Sequence, residues 1–260
     1  MLSGGVQRSA PASYTSRMNE PVHFAANLTE PMMSTRKAVP GVAKKAATTK
    51  TTREASRTND PARTMAGILE VATAEFAEKG LSGGRIDEIA AATSTSKRMI
   101  YYYFGSKEGL YLAVLEESYR RMRQIEAEQH LEDLEPEAAL RQLVGFTFDH
   151  HQGNEAYIRL VMSENMNRGL YLAQSKTIRQ LNVPAIQAIR LLYERGVAQG
   201  IFRQGLDPTD IHASISALTF FNVSNQHTFG LIFKQDTQTA QAIAQRRASI
   251  IDMVVRFVHK

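Results

Sequence analysis

The 260-residue chain contains no cysteine and no tryptophan, and only 16 glycines and eight prolines. Without cysteine there is no disulfide scaffold, no thiolate metal site and no cysteine nucleophile. No stretch approaches the ~18 consecutive apolar residues that a membrane-crossing helix needs, so no membrane partner is expected. The first thirty residues lack the charged-then-apolar layout of a secretory leader, and a cytoplasmic location is expected. A Gly-x-Gly-x-x-Gly phosphate loop, a P-loop and a nucleophile elbow are all missing, so the reading is of a non-enzyme without catalytic residues or cofactor. The seven histidines are scattered, with no His-x-x-x-His pair. Asp149, His150, His151 and Glu164 do not make a metal set either, because adjacent histidines on a helix diverge by about 100°.

What is present is enough apolar material, 43% of residues, for a real core in one large or two small domains. The net charge of +5 suggests a nucleic-acid binder until its location is considered. Residues 1–58 hold nine Lys/Arg and three acids; residues 59–108 hold six against seven, and residues 109–260 hold sixteen against sixteen. The excess belongs to the tail. Bulk charge is therefore no argument for DNA binding by the folded part.

Residues 1–58 have no sustained hydrophobic period and are rich in Ala, Ser, Thr, Pro and basic residues. Such a stretch cannot bury enough apolar surface to offset its ordering entropy and is expected to be a disordered basic tail. Order begins at Asp60-Pro61, a cap followed by proline at the first helical position. Ile68, Leu69, Ala72 and Phe76 repeat at helical spacing until Gly80. A second short helix holds Ile86, Ile89 and Ala90, with Gly84 as its weak cap. After the polar break Thr93-Ser94-Thr95, a third runs from Ser96 to Gly105. Three short helices, the last two joined by a tight turn, make a helix-turn-helix layout over 59–106. Longer helices follow over 107–260: to about Glu132, from Pro136 to His150, from Glu155 to Asn167, and from Tyr171 to Ala198, which Pro184 must kink or break. Pro208 starts a helix to about Ile232, and Asp236 caps a last one to about Val258. With no strand alternation and no repeat, the fold class is all-α.

The stretch Ser96-Lys97-Arg98-Met99-Ile100-Tyr101-Tyr102-Tyr103-Phe104 concentrates the chemistry. A recognition helix presents its N-terminal residues to base edges in the major groove. Lys or Arg there can read guanine, while tyrosine hydroxyls and Lys107 can hold phosphates. At 100° per residue Lys97, Arg98, Tyr101 and Tyr102 share an outward face, so Met99, Ile100 and Phe104 cannot all be exposed.

With Ala-Glu-Phe-Ala-Glu-Lys-Gly at 74–80, Ile-Ala at 89–90, Ser-Lys at 96–97 and Tyr-Tyr-Tyr-Phe-Gly-Ser-Lys-Glu at 101–108, the chain resembles the TetR family of bacterial transcriptional regulators over residues 60–115. The resemblance implies DNA contacts by Lys97, Arg98, Met99, Tyr101, Tyr102, Tyr103 and Lys107, and Arg85 and Ser96 join them as candidates. One departure stands out: the family's turn usually reads Ala-Gly-Val, and here it is Thr93-Ser94-Thr95.

In the last helix, Ile250, Ile251, Met253, Val254, Val255, Phe257 and Val258 cover an arc of about 200°, more than one buried face needs. The 208–232 helix is apolar nearly all round as well. Pairing of these two helices with their symmetry mates gives a homodimer, which the resemblance also implies, and hence a palindromic double-stranded DNA operator. The resemblance further implies a small-molecule effector bound among the middle helices, releasing a repressor from DNA. Polar groups on otherwise apolar helices are its candidate contacts: Tyr157, Glu164, Asn165, Asn222, Asn225 and His227. The competing reading is a helical ligand- or protein-binding module whose head has lost DNA binding through the altered turn.

Overall fold

The computed structural model describes residues 60–260, and the basic tail over 1–58 lies outside the described residues. Ten α-helices are present among them. Helix α1 (Pro61–Gly83) starts where the Asp60 carboxylate accepts from the backbone N–H groups of Ala62 and Arg63, at 3.0 and 3.2 Å. Ile68, Ala72 and Phe76, four residues apart, form its fully buried face. Gly80 does not end the helix but kinks it, with φ of 66°. Gly84 does not cap the second helix: it closes α1 beside the Phe76 ring, where a Cβ would come within 2.6 Å of Phe76 Cδ1. The N-cap of α2 (Ile86–Ala92) is Arg85, which makes no side-chain cap bond. Helix α3 (Lys97–Phe104) and helix α4 (Lys107–Ala127) start at Ser96 and Ser106, whose hydroxyls accept from Met99 N and Gly109 N.

Beyond α4 the boundaries shift from the expected ones, each for a local reason. Helix α4 stops at Ala127, short of Glu132, and His130 turns the chain with φ of 46°. Helices α5 (Pro136–Gly153) and α6 (Glu155–Met166) meet at Asn154. The span from Tyr171 is first a 3-10 turn at Leu172–Gln174; helix α7 (Lys176–Ala198) begins only after Ser175, whose hydroxyl accepts from Ile178 N. It runs through Pro184 unbroken. The helix expected from 208 to 232 is two, α8 (Pro208–Ser224) and α9 (Gln226–Phe233), separated at Asn225. Thr239, not Asp236, caps α10 (Ala240–Val258); the Asp236 carboxylate instead accepts from Gln238 N within the preceding turn.

Two hydrophobic cores hold these helices. One joins α1–α3 to the first half of α4 and takes in Leu160 of α6 and Ile178 of α7, so the N-terminal helices do not stand on a core of their own. At its centre the rings of Phe76 and Tyr111 meet edge to face, 5.4 Å apart. Full burial of a side chain of this size contributes roughly 1.5–3 kcal/mol. The other core packs α5, α7, α8 and α10 around Phe148, Phe202 and Ile250. It absorbs most of the broad apolar arc of α10: Ile250, Val254, Val255 and Val258 are buried, Ile251 and Phe257 half-buried, and Met253 exposed. Apolar side chains are left uncovered at scattered places such as Met166, Val183 and Leu191, and as a cluster on α9 and the end of α8, where Leu231 is 80% and Ile232 71% exposed beside Phe221 and Phe233.

Candidate nucleic-acid interface and ligand cavity

The turn between α2 and α3 closes by paired backbone bonds, Thr95 N to Ala90 O at 3.1 Å and Ser94 N to Ala91 O at 3.3 Å. This is a Schellman arrangement, whose penultimate residue must be left-handed. Ser94 occupies that place with φ of 52°. The turn therefore keeps the geometry that a glycine would give, at the expense of a strained serine.

From this turn α3 emerges with Ile100 fully buried and its outer face in solvent. Arg98 is exposed and makes no ion pair among the described residues. Tyr102 is 77% and Tyr101 45% exposed. Lys97 is exposed but paired with Asp87 of α2. Exposed pairs of this kind contribute little in water, so a phosphate can replace the carboxylate. Arg85 lies 3.6 Å from Glu88, and Glu88 also pairs with Lys79, whose ammonium holds the carboxyl below the usual carboxylate range.

Other expected contacts are placed differently. Met99 and Tyr103 are half-buried and line a groove with α1 and the 93–95 turn. The Tyr103 ring is held between Tyr102, 5.3 Å away, and Phe104, 6.3 Å away. Lys107 turns back, its ammonium donating to the carbonyl of Ser82 at 3.2 Å, so it ties α4 to the end of α1. Ser96 spends its hydroxyl on Met99 N, as a cap. The joint between α3 and α4 is equally tight: a Cβ on Gly109 would lie 2.1 Å from the Phe104 carbonyl oxygen.

A cavity of about 760 Å³ opens between α4, α5, α6, α7 and α8. Tyr119, Arg123 and Glu126 of α4 line one side, His151 and Tyr157 another, and Asn182, Arg190 and His212 the rest. Arg123 pairs with Glu126, and both side chains are only 12% exposed. The Arg123 Nε is buried without a partner among the described residues. His151 and Tyr157 stack with ring centroids 6.0 Å apart, and Tyr119 meets Tyr157 edge to face at 5.7 Å. Burial, reinforced by the charges of His150, Arg123 and His212, pushes His151 down to about 4. Thr219 Oγ1 donates to the Ile215 carbonyl at 2.8 Å, so it accepts from the His151 Nδ1–H, 3.0 Å away. His212 is lowered by burial first and by Arg123 second. Burial also raises both tyrosines, which stay protonated.

Of the six expected effector contacts, only Tyr157 faces this cavity. The Glu164 carboxylate is buried because it accepts from Leu172 N at 2.9 Å and Tyr171 N at 3.5 Å, fixing the turn before α7. Asn165 is exposed and donates to Val161 O. Asn222 donates to Gln152 Oε1, and Asn225 breaks α8 from α9. His227 is exposed, 3.8 Å from Glu155. Asp149 is committed to Arg247. The residues that do line the cavity carried one signal in the sequence: Tyr119, Arg123 and Glu126 recur at helical spacing along one edge of the apolar stripe of α4. That pattern is indistinguishable from a solvated face until α7 is known to pack across it.

Two family models match the chain: "Bacterial regulatory proteins, tetR family" over residues 68–114 and "Tetracyclin repressor-like, C-terminal domain" over residues 136–254. The HTH-type transcriptional repressor NicS of Pseudomonas putida is 37% identical over 194 residues, covering 75% of this chain and 92% of NicS. The HTH-type transcriptional repressor SCO4008 of Streptomyces coelicolor is 34% identical over 53% of this chain and 69% of its own. Among solved structures, the transcriptional regulator SCO4942 of Streptomyces coelicolor superposes with a TM-score of 0.56 at 26% identity, covering 75% of this chain and 98% of that one. A tetR-family regulatory protein from Rhodococcus RHA1 shares the fold at a TM-score of 0.60 and 22% identity, over 76% of this chain and 97% of its own. None of the described helices is long and apolar enough to cross a membrane. With an exposed Arg-Tyr face on a capped third helix, a Schellman turn before it and these relatives, the chain belongs to the TetR family of helix-turn-helix transcriptional regulators, and is a DNA-binding one.

Proposed function

We propose that the protein is a homodimeric repressor that holds a palindromic operator through one α3 per half-site and releases it when a small molecule occupies the 760 Å³ cavity. The observation that carries this reading is that one rigid element serves both places. Helix α4 anchors the head through Lys107 at its first residue, and it lines the cavity through Tyr119, Arg123 and Glu126 in its later turns. A second tie runs from α6, where Arg159 Nε donates to the Ala77 carbonyl at 2.9 Å and its Nη2 lies 3.1 Å from Glu78. A ligand that favours one position of α4 and α6 must therefore bias the position of the head. The division into a head over 59–106 and a body over 107–260 is one of function, since the core of the head continues into α4, α6 and α7.

A second copy is the natural cover for the apolar end of α8 and for α9, because an exposed cluster of this kind is uncommon on a monomer. A two-fold axis there presents two α3 helices to half-sites spaced about 34 Å apart, or a multiple of it. The test is fluorescence anisotropy on DNA from upstream of the gene, across a salt series. Binding should weaken linearly on a log–log plot against salt, and Arg98→Ala should lower affinity about 5- to 150-fold with unchanged circular dichroism. Binding that is absent at low salt, or unaltered by Arg98→Ala, favours a helical module that no longer reads DNA.

A further inference from the structure

Resting on the reading of α3 as the DNA-binding helix, we infer that the basic segment from Lys44 to Arg57 is a second DNA contact. It binds backbone phosphates beside the half-site that α3 reads, and supplies the charge that the head itself lacks. The head spends most of its cations internally. Lys79 pairs with Glu75 at 2.9 Å and also with Glu88, Arg85 lies 3.6 Å from Glu88, and Lys97 pairs with Asp87. Lys107 donates to the Ser82 carbonyl. Of the head's cations, only Arg63 and Arg98 are exposed without an ion pair among the described residues.

This shortage has a consequence for affinity. A phosphate that displaces Asp87 or Glu88 leaves that carboxylate, about half exposed, facing the same polyanion. Such an exchange returns less than a free cation does. A protein whose grip on duplex DNA is strongly salt-dependent makes on the order of 6–10 phosphate contacts. The free cations of two heads together fall short of that.

The missing charge lies directly upstream in the sequence. Lys44, Lys45, Lys50, Arg53 and Arg57 stand against one acid, Glu54, and only Ala, Thr and Ser fill the remaining positions. The segment has no Asn or Gln to read adenine and no aromatic ring to stack on a base, so its chemistry suits phosphates. The point of attachment is favourable as well. Arg63, Thr64 and Gly67 of α1 share one groove with Thr93, Ser94 and Thr95 and with Met99 and Tyr103 of α3. The chain therefore enters α1 beside the start of the DNA-reading helix. From Asp60 back to Lys44 an extended chain reaches at most about 55 Å, more than the roughly 34 Å of one duplex turn.

The test compares the full chain with a variant carrying Lys44→Gln, Lys45→Gln, Lys50→Gln, Arg53→Gln and Arg57→Gln together, which keeps its length. Each is titrated by fluorescence anisotropy across a salt series, against a duplex from upstream of the gene and a scrambled duplex of equal length. Each neutralised phosphate contributes about 0.9 to the slope of log affinity against log salt, so the Gln variant should have a slope shallower by about 2–5. Its affinity should fall by roughly tenfold or more on both duplexes, with unchanged circular dichroism. A companion carrying Lys44→Arg, Lys45→Arg and Lys50→Arg should keep the slope and affinity of the unaltered chain. An unchanged slope in the Gln variant overturns the inference and leaves α3 as the DNA contact. A loss confined to the upstream duplex overturns it too, because the segment then reads sequence. The same holds if the Arg companion loses as much as the Gln variant, since charge is then not what matters. No binding of either duplex by the unaltered chain at low salt defeats the α3 reading itself, and the inference with it.

Discussion

The outer face of α3 and the wall of the cavity are built from the same side chains, arginine beside tyrosine, yet solvent gives them opposite roles. Arg98 and Tyr102 stand in water, where a charge costs nothing to hold and its attraction for phosphate is tuned by salt. Arg123 and Tyr157 are enclosed, and there Arg123 needs Glu126 beside it while its charge helps to hold the nearby histidines neutral. The exposed set is suited to a polyanion of fixed spacing met from outside. The enclosed set is suited to one small molecule that displaces water. Between them runs α4, and the joint where it leaves α3 is the place where the two regions can be separated experimentally.

Gly109→Ala should have the largest effect. The new methyl would sit 2.1 Å from the Phe104 carbonyl oxygen, a backbone atom that no rotamer change can move. The α3–α4 joint must open, at a cost of about 3 kcal/mol, the upper end of ordinary overpacking. Operator binding should be lost in anisotropy titrations while calorimetric binding of the cavity ligand persists. Retention of full DNA affinity would mean that the head does not depend on this joint.

The cavity should declare itself through pH. His151 has an ordinary value of 6.5 and a folded value of about 4, so the unfolded chain takes up the proton first. Its contribution is therefore fully present above pH 6.5 and is lost as pH falls from there towards 4, where the folded form protonates too. The difference corresponds to at most about 3 kcal/mol for this group. His150 and His212, also lowered by burial, act in the same direction. Urea midpoints measured between pH 7.5 and 4 should fall, and His151→Gln should flatten part of that slope. An identical slope in the variant would show that His151 is not enclosed.

The two regions were unequally readable from residue order. The head is a local object: its caps Asp60, Ser96 and Ser106 and its buried Ile68, Phe76 and Ile100 lie within 50 residues, at spacings that a helical period reveals. The outward face of α3 followed from the same period. What the period could not reveal was pairing across helices, namely Lys97 with Asp87 and Lys107 with the Ser82 carbonyl. The cavity is non-local throughout, drawn from five helices spread between residues 119 and 220. Polarity on an apolar helix singled out Tyr157, but it equally singled out Glu164 and Asn225, which serve a turn and a helix break. The long 208–232 helix failed for a related reason: its apolar run continues past Asn225, but the backbone does not stay helical there.

A smaller effect is expected from Arg159→Ala, which removes the tie from α6 to the Ala77 carbonyl and the Glu78 carboxylate. Hydrogen bonds to a charged donor contribute about 1.5–3 kcal/mol when enclosed, and less at this half-exposed site. DNA affinity without ligand should change little. The ratio of DNA affinities with and without ligand should shrink several-fold, because one of the two polar ties from the body to the head is gone. An unchanged ratio would assign the coupling to α4 and to the apolar packing of Leu160 and Ile178 against the head.

The smallest effect, and the one that tests the head most directly, is Ser94→Gly. Ser94 holds the left-handed place of the Schellman turn with φ of 52°, a conformation that costs an L-residue about 1 kcal/mol and glycine almost nothing. Part of that gain is returned through the greater freedom of glycine in the unfolded chain, leaving about 0.5 kcal/mol of added stability. For a chain of this size that raises the melting temperature by one or two degrees. Because the turn already has its final geometry, with Thr95 N bonded to Ala90 O, operator affinity should not change. A tighter operator complex in the variant would show instead that the serine holds α3 away from its best angle, and that the unusual turn is a setting of DNA affinity.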